Sequence, residues 1–238
     1  YSVITFGCRV NQADSLGLEE ELLAAGAVSA PPDEADLVVV NTCSVTATAD
    51  QGARQTIRRV ARENPHARIV VTGCYATRRP DEVALLPNVA RVVINDDKPM
   101  LLTLAAPELS TAERFGDGEG SCGAALEPGV AGRTAFTLRI QTGCAEACAY
   151  CIIPTTRGRP RTVPPDGVLA EVDRVAAAGF KEIALTGVHL GSYGRDLAPR
   201  MSLLDLLHDL ADCSHDVLFR LSSLEPMDCS PGIVDLVA

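Results

Sequence analysis

Residues 37–43, LVVVNTC, and residues 69–74, IVVTGC, decide the fold. Each is an unbroken β-branched run that stops at small polar residues and a cysteine. A strand buried on one face alternates apolar and polar side chains. An unbroken run means burial on both faces, which belongs to a parallel sheet lying between helical layers. Working outward, Val3–Phe6 is a similar run followed by Gly7 and Cys8, and Ala90–Ile94 is a fourth. The stretches between them, Ser15–Ala25, Asp50–Glu63 and Pro80–Leu86, carry helical spacing, and the first stops near Gly26. Strand and helix in alternation predict an amino-terminal parallel-sheet α/β domain over residues 1–104.

From about residue 105 to 133 this pattern fails, and a composition rich in Gly, Pro, Ser and Glu predicts a linker. Beyond it the alternation resumes over 134–238. Strands are expected at Ala135–Gln141, Glu182–Thr186 and Val217–Ser222. Helices are expected at Pro165–Ala178, closed by Gly179, at Ser202–Cys213, and from Pro231 onward. Three βα units cannot close an α/β barrel. With Tyr rather than Met at position 1, the reading expects a piece of a longer protein holding a partial (β/α) barrel.

Composition narrows the class. Of 238 residues 47% are hydrophobic and 22% charged, which suits a globular core and excludes disordered or collagen-like chains. No apolar run approaches the roughly 18–20 residues of a membrane span. The first residues lack the basic and long apolar segments of a signal peptide. The expectation is a cytoplasmic protein with no membrane partner. A net charge of −10 gives no general pull toward nucleic acid, although totals conceal patches. Nine cysteines in a chain this large point to metal or redox chemistry rather than to bridges.

Six of the nine fall into two sets. Cys144, Cys148 and Cys151 form a C-x3-C-x2-C run, GCAEACAYC, just after a predicted strand. Three thiolates on one tight loop suit three irons of a [4Fe–4S] cube and leave the fourth iron open. A structural zinc would want a fourth protein ligand at a module spacing, which does not follow here. Cys8, Cys43 and Cys74 are 35 and 31 residues apart, yet each follows the carboxyl end of a predicted strand. In an open parallel sheet those ends share one edge, where such folds take their ligands, so the three are expected to converge on a second cluster. Cys122, Cys213 and Cys229 complete no pattern and read as small buried or incidental residues.

The C-x3-C-x2-C run with Tyr150 before its last cysteine resembles the radical S-adenosylmethionine (SAM) enzymes. The wider set of stretches, GCRVNQADS, NTCSVTATAD, RQTIRR, GCYATRRP, QTGCAEACAYCIIPTTRGRPR, LTGVHLGSYGRDL and RLSSLEP, resembles the radical SAM methylthiotransferases in order and spacing. GCRVNQ, TGVHLGSYGRDL and RLSSLEP look most like the branch acting on N6-threonylcarbamoyladenosine beside the tRNA anticodon. Branches acting on isopentenyladenosine in tRNA, or on a ribosomal protein, are the alternatives. The resemblance implies two [4Fe–4S] clusters, SAM as methyl donor and radical source, a tRNA substrate, a reducing electron donor and a sulfur donor. One SAM would give its methyl group to sulfur on the amino-terminal cluster, and another would yield a radical that abstracts hydrogen from adenine C2. The family's remaining barrel half and terminal RNA-binding domain have no counterpart here, so tRNA contacts would come mainly from those parts.

The same resemblance places Tyr150 near the SAM adenine and Thr186 and Gly187 at the SAM amino group. Glu225 and His189 follow predicted strand ends and are further candidates for the SAM pocket. Arg157, Arg159 and Arg161 follow the cysteine loop and are expected to meet a carboxylate or RNA phosphate. Arg54, Arg58 and Arg62 recur on one helix face, either as an RNA footprint or as a solvent-facing stripe paired with acids. Two rivals remain: a radical SAM enzyme whose second cluster only transfers electrons, and a non-catalytic iron–sulfur or zinc-binding module.

Overall fold

The computed structural model describes residues 1–109, 134–213, 216–222 and 224–237. Most of the predicted linker, with Cys122, lies outside them. The described chain divides into two compact units. The first holds residues 1–109 together with Cys148–Arg157, and the second holds 134–147 and the described residues from 158 on.

In the first unit strands β1 (Ser2–Thr5), β2 (Leu37–Thr42), β3 (Arg68–Gly73) and β4 (Val89–Val93) lie side by side in sequence order, all parallel. Helices α1 (Arg9–Ala24), α2 (Ala47–Glu63), α3 (Cys74–Arg78), α4 (Pro80–Ala84) and α5 (Leu101–Ala105) connect and cover them. The unbroken runs do what their pattern requires. Val38, Val40, Ile69 and Val71 pack with Ala53, Ile57 and Val60 of α2. Val39 and Val70, pointing the other way, pack with Leu18 and Leu22 of α1 and with Leu101 and Leu102. Helix α2 starts where the Thr46 hydroxyl accepts from the Ala49 amide, and Asp50 in its first turn suits the positive end of the helix dipole. A four-residue helix, α6 (Ile153–Thr156), belongs to this unit and packs against α3.

In the second unit β5 (Ala135–Arg139) leads to a short antiparallel pair, β6 (Gln141–Thr142) with β7 (Arg161–Thr162). Helix α7 (Pro165–Ala177) then leads to β8 (Glu182–Thr186), α8 (Leu203–Ala211), β9 (Leu218–Leu221) and α9 (Pro231–Val237). Strands β5, β8 and β9 form a parallel sheet in that order. Phe136, Leu138, Ile183 and Leu185 of the sheet pack with Val168, Val172 and Val175 of α7 and Leu206 and Leu210 of α8. Helix α8 opens with a capping box in which the Ser202 hydroxyl takes the Asp205 amide and Asp205 takes the Ser202 amide. The α/β class and the partial parallel sheet agree with the sequence reading. Among the described residues no helix is long and apolar enough to cross a membrane.

Candidate metal centres

Cys8, Cys43 and Cys74 directly or nearly follow the ends of β1, β2 and β3, which are parallel neighbours, so all three emerge at one sheet edge. Thr42 and Gly73 are register partners, which puts Cys43 and Cys74 at equivalent positions on adjacent strands. The backbone leaves no slack here. A Cβ on Gly7 would lie 2.5 Å from Cys43 Cβ and 2.7 Å from its Sγ, so the chain beside Cys8 presses on Cys43. Gly73, at φ 93°, would drive a Cβ to 2.2 Å from the Thr42 carbonyl oxygen. Cys43 and Cys74 are buried and Cys8 is exposed. Burial pushes the Cys43 thiol up, and the nearness of Cys74 and Cys8 pushes it further. A buried Cys43 thiol that ionises reluctantly, with two more sulfur donors beside it, is a donor set suited to a cation.

Among the described residues no three His, Cys, Asp or Glu side chains converge tightly enough to hold a single metal ion. Three thiols at neighbouring strand ends are the donor type of an iron–sulfur group, whose thiolates stand farther apart than the ligands of one ion.

Behind this edge lies a buried polar network that the sequence reading missed. Asn11 on α1 donates to the carbonyls of Phe6 and Thr42, bracing the residues that precede Cys8 and Cys43. Its side-chain oxygen accepts from the Arg157 guanidinium, which also reaches Asp14 at 3.2 Å. Lys98 donates to the same Asp14 oxygen at 2.8 Å and to Asn41 at 3.3 Å. Arg157 is 3% exposed and meets a carboxylate of the chain itself, Asp14, where the sequence reading expected a ligand carboxylate or RNA phosphate; Arg159 and Arg161 are exposed. Burial alone would lower its pKa, but Asp14, Cys74 and Cys8 more than offset that and hold the guanidinium charged. Burial pushes the Lys98 ammonium down, with Asp14 opposing. Asn95 donates to the Thr156 carbonyl at 2.7 Å and lies 3.8 Å from Cys74 Sγ. On the other side of Cys43, Ser44 donates to Asp50, which also pairs with Arg78. Of the arginine stripe on α2, Arg54 is committed to Tyr75 and Glu82, while Arg58 and Arg62 are exposed.

In the second set, the Cys144 amide donates to the Gly158 carbonyl and its sulfur accepts from the Glu146 amide. The Cys151 amide donates to the Cys148 carbonyl in the following turn. Cys148 is exposed and Tyr150 is 93% exposed. Thr186 and Gly187 are buried at the carboxyl end of β8, and Thr186 Oγ1 has no hydrogen-bond partner among the described residues. Glu225 is exposed past β9. His189 Nε2 stands 3.0 Å from an Asp228 carboxylate oxygen. Cys213 lies past α8 and is half-buried, and Cys229 is exposed past β9.

Gln141 ties the cysteine loop to this strand end. Fully buried, it donates to the carbonyls of Thr142 and Gly143 and accepts from the amides of Val188 and His189. Sequence reasoning assigned it no role. The available signal was a polar amide closing an apolar strand immediately before the GC of the loop.

Comparison with known proteins defines the class first. Residues 1–95 match "Uncharacterized protein family UPF0004" and residues 138–213 match the "Radical SAM superfamily". The chain thus carries a UPF0004 segment followed by a radical SAM segment, and the likeness to radical SAM methylthiotransferases is borne out. Among its relatives, the threonylcarbamoyladenosine tRNA methylthiotransferase MtaB of Aquifex aeolicus is 36% identical over 98% of this chain and 58% of its own. The Bacillus subtilis MtaB is 33% identical over 98% and 53%. The tRNA-2-methylthio-N(6)-dimethylallyladenosine synthase of Syntrophomonas wolfei is 32% identical over 100% and 55%. The chain spans about half the length of these relatives. A solved structure of the radical SAM methyltransferase TsrM from Kitasatospora setae shares the fold, at TM-score 0.59 and 16% identity over 99% of this chain and 56% of that one.

Proposed function

We propose that the protein formed by these units transfers a methylthio group to C2 of N6-threonylcarbamoyladenosine beside the anticodon of tRNA, with SAM and two [4Fe–4S] clusters. The observation that carries this reading is the convergence of Cys8, Cys43 and Cys74 on one edge of a parallel sheet in a chain that also has the Cys144, Cys148 and Cys151 loop. When bound, an open-site cluster supplies the electron that cleaves SAM, and a second cluster supplies a seat for the sulfur to be transferred.

The chain's own residues prepare for both. Cys144, Cys148 and Cys151 would hold the SAM-cleaving cluster, and Cys8, Cys43 and Cys74 the other. Gln141 fixes the amides of Val188 and His189 beside Thr186 and Gly187, a rigid strand end suited to the SAM amino group. Tyr150 is exposed and available to the adenine, and Glu225 is accessible beyond the next strand. Exposed Arg58, Arg62, Arg159 and Arg161 supply local charge for RNA phosphates on a chain of net charge −10. A low-potential electron donor and a sulfur donor complete the requirement.

A second reading, transfer to dimethylallyladenosine, is favoured by the Syntrophomonas relative, whose identity nearly equals that of the Bacillus one. Anaerobic reconstitution tests the sites. Replacing Cys8, Cys43 and Cys74 by Ala, or the other three by Ala, should each remove about half of the bound iron. Loss of all iron from either triple variant overturns the two-site reading. With the full-length protein, two tRNAs differing in that one nucleoside separate the substrates: methylthiolation of only the dimethylallyl form overturns the first assignment.

A further inference from the structure

Two cations and one carboxylate are buried behind the edge that carries Cys8, Cys43 and Cys74, and they come from distant parts of the chain. Asp14 sits on α1, Lys98 follows β4, and Arg157 ends the segment that begins at Cys148. Their connection to the cysteines is short. Arg157 holds Asn11, and Asn11 holds the Thr42 carbonyl next to Cys43 and the Phe6 carbonyl near Cys8. Lys98 holds Asn41 on β2. Asn95 joins the Cys74 sulfur to Thr156, the neighbour of Arg157. Burying cations is costly, and these two lie close enough to the cysteines to interact with them electrostatically: Arg157 with Cys74 and Cys8, Lys98 with Cys74.

We infer that Arg157, Lys98 and Asp14 are positioning residues whose buried charges set the reduction potential of a cluster on Cys8, Cys43 and Cys74. The inference rests on the proposed function for the existence of that cluster. A cube with three thiolates gains one negative charge when it accepts one electron from a low-potential reductant such as dithionite. A fixed cation in a low-dielectric setting stabilises the reduced form and raises the potential; a fixed anion does the reverse. The segment from Cys148 to Arg157 thereby contributes charge to the amino-terminal cysteine set through its last residue.

The test uses the chain with Cys144, Cys148 and Cys151 replaced by Ala, reconstituted with iron and sulfide and titrated anaerobically with the reduced cluster followed by electron paramagnetic resonance. Arg157→Met should lower the ratio of reduced to oxidised cluster about tenfold at fixed potential, a downward shift of about 59 mV for a one-electron couple. Asp14→Asn should shift the potential upward, and Arg157→Lys, which keeps the charge, should stay near the parent value. A purely structural role for the network would move the Met and Asn variants in the same direction or release iron from both. Either of those results, or potentials that do not move, overturns this inference alone. Failure of the parent variant to bind a cluster overturns the proposed function and this inference with it.

Discussion

Replacing Gln141 by Leu removes a side chain of similar volume and keeps the site filled, so the effect isolates hydrogen bonding. In the native structure Gln141 serves four backbone groups: the carbonyls of Thr142 at 3.1 Å and Gly143 at 2.8 Å, and the amides of Val188 at 2.9 Å and His189 at 3.0 Å. A fifth contact, to Ser192 Oγ at 3.4 Å, is too long to add much. Gly143 is buried, so its carbonyl would be stranded at about 1–3 kcal/mol, whereas Thr142 stays paired with Arg161 across the β6–β7 ladder. The half-buried Val188 and His189 amides lose about 0.5–1.5 kcal/mol each, part of which water compensates. Replacing the amide by methyl groups returns about 1 kcal/mol of apolar burial. The balance is a destabilisation of about 1–3 kcal/mol. Urea unfolding followed by circular dichroism should show it as a lower midpoint with an unchanged slope. Reconstituted Gln141→Leu should also load less iron on the Cys144 loop when Cys8, Cys43 and Cys74 are replaced by Ala. A midpoint shift equivalent to less than about 1 kcal/mol, with normal iron loading, would refute the assignment of Gln141 as the tie between loop and strand end.

Gly73→Ala should cost at least about 3 kcal/mol and displace Cys74, because both the positive φ and the Thr42 carbonyl oppose a Cβ; unfolding midpoint and iron content of the amino-terminal set report the two effects. Ser202→Ala should lower stability by about 1 kcal/mol through loss of the α8 capping box while leaving iron content untouched. Tyr193 is buried and donates to the Val163 carbonyl at 2.8 Å, and burial first, then Asp209 and Asp196, raise its phenol above the ordinary value near 10. The unfolded chain ionises first, so its contribution is intact below about pH 10 and lost as pH rises beyond; Tyr193→Phe should be about 1 kcal/mol less stable at neutral pH yet show a shallower alkaline loss in urea midpoints.

The sheet of the first unit was legible because parallel strands advertise themselves. Leu37–Val40 and Ile69–Thr72 are apolar on both faces, and each face found a helix. Helix starts were harder. The sequence suggests α1 from Ser15, but it begins at Arg9, since its first turns carry Asn11 and Asp14, polar residues that look solvent-facing and are in fact spent on the buried network. Helix α2 begins at Ala47 rather than Asp50; its Thr46 cap was the overlooked signal. Helix α3 is five residues long, too short for any periodicity to reveal. At the site, strand-end placement of Cys8, Cys43 and Cys74 could be read locally. Arg157 could not, because its meaning depends on Asp14, 143 residues away. A basic run after a cysteine loop points outward, to a ligand or an RNA phosphate, until its buried partner is known.

The two cysteine sets obey opposite rules of tolerance to length. Cys8, Cys43 and Cys74 are located by where their strands stop, so an insertion in α1, or in the turns before β2 and β3, can lengthen the intervals without moving a thiol from the edge. A one-residue slip in register between β2 and β3 would spoil the edge while leaving every interval intact. The Cys144, Cys148 and Cys151 set is the converse: one residue inserted within its short loop rotates a thiol away, whatever the strands do. Relatives can therefore drift widely in the spacing of the first set, and a search keyed to intervals would lose it while one keyed to strand ends would not.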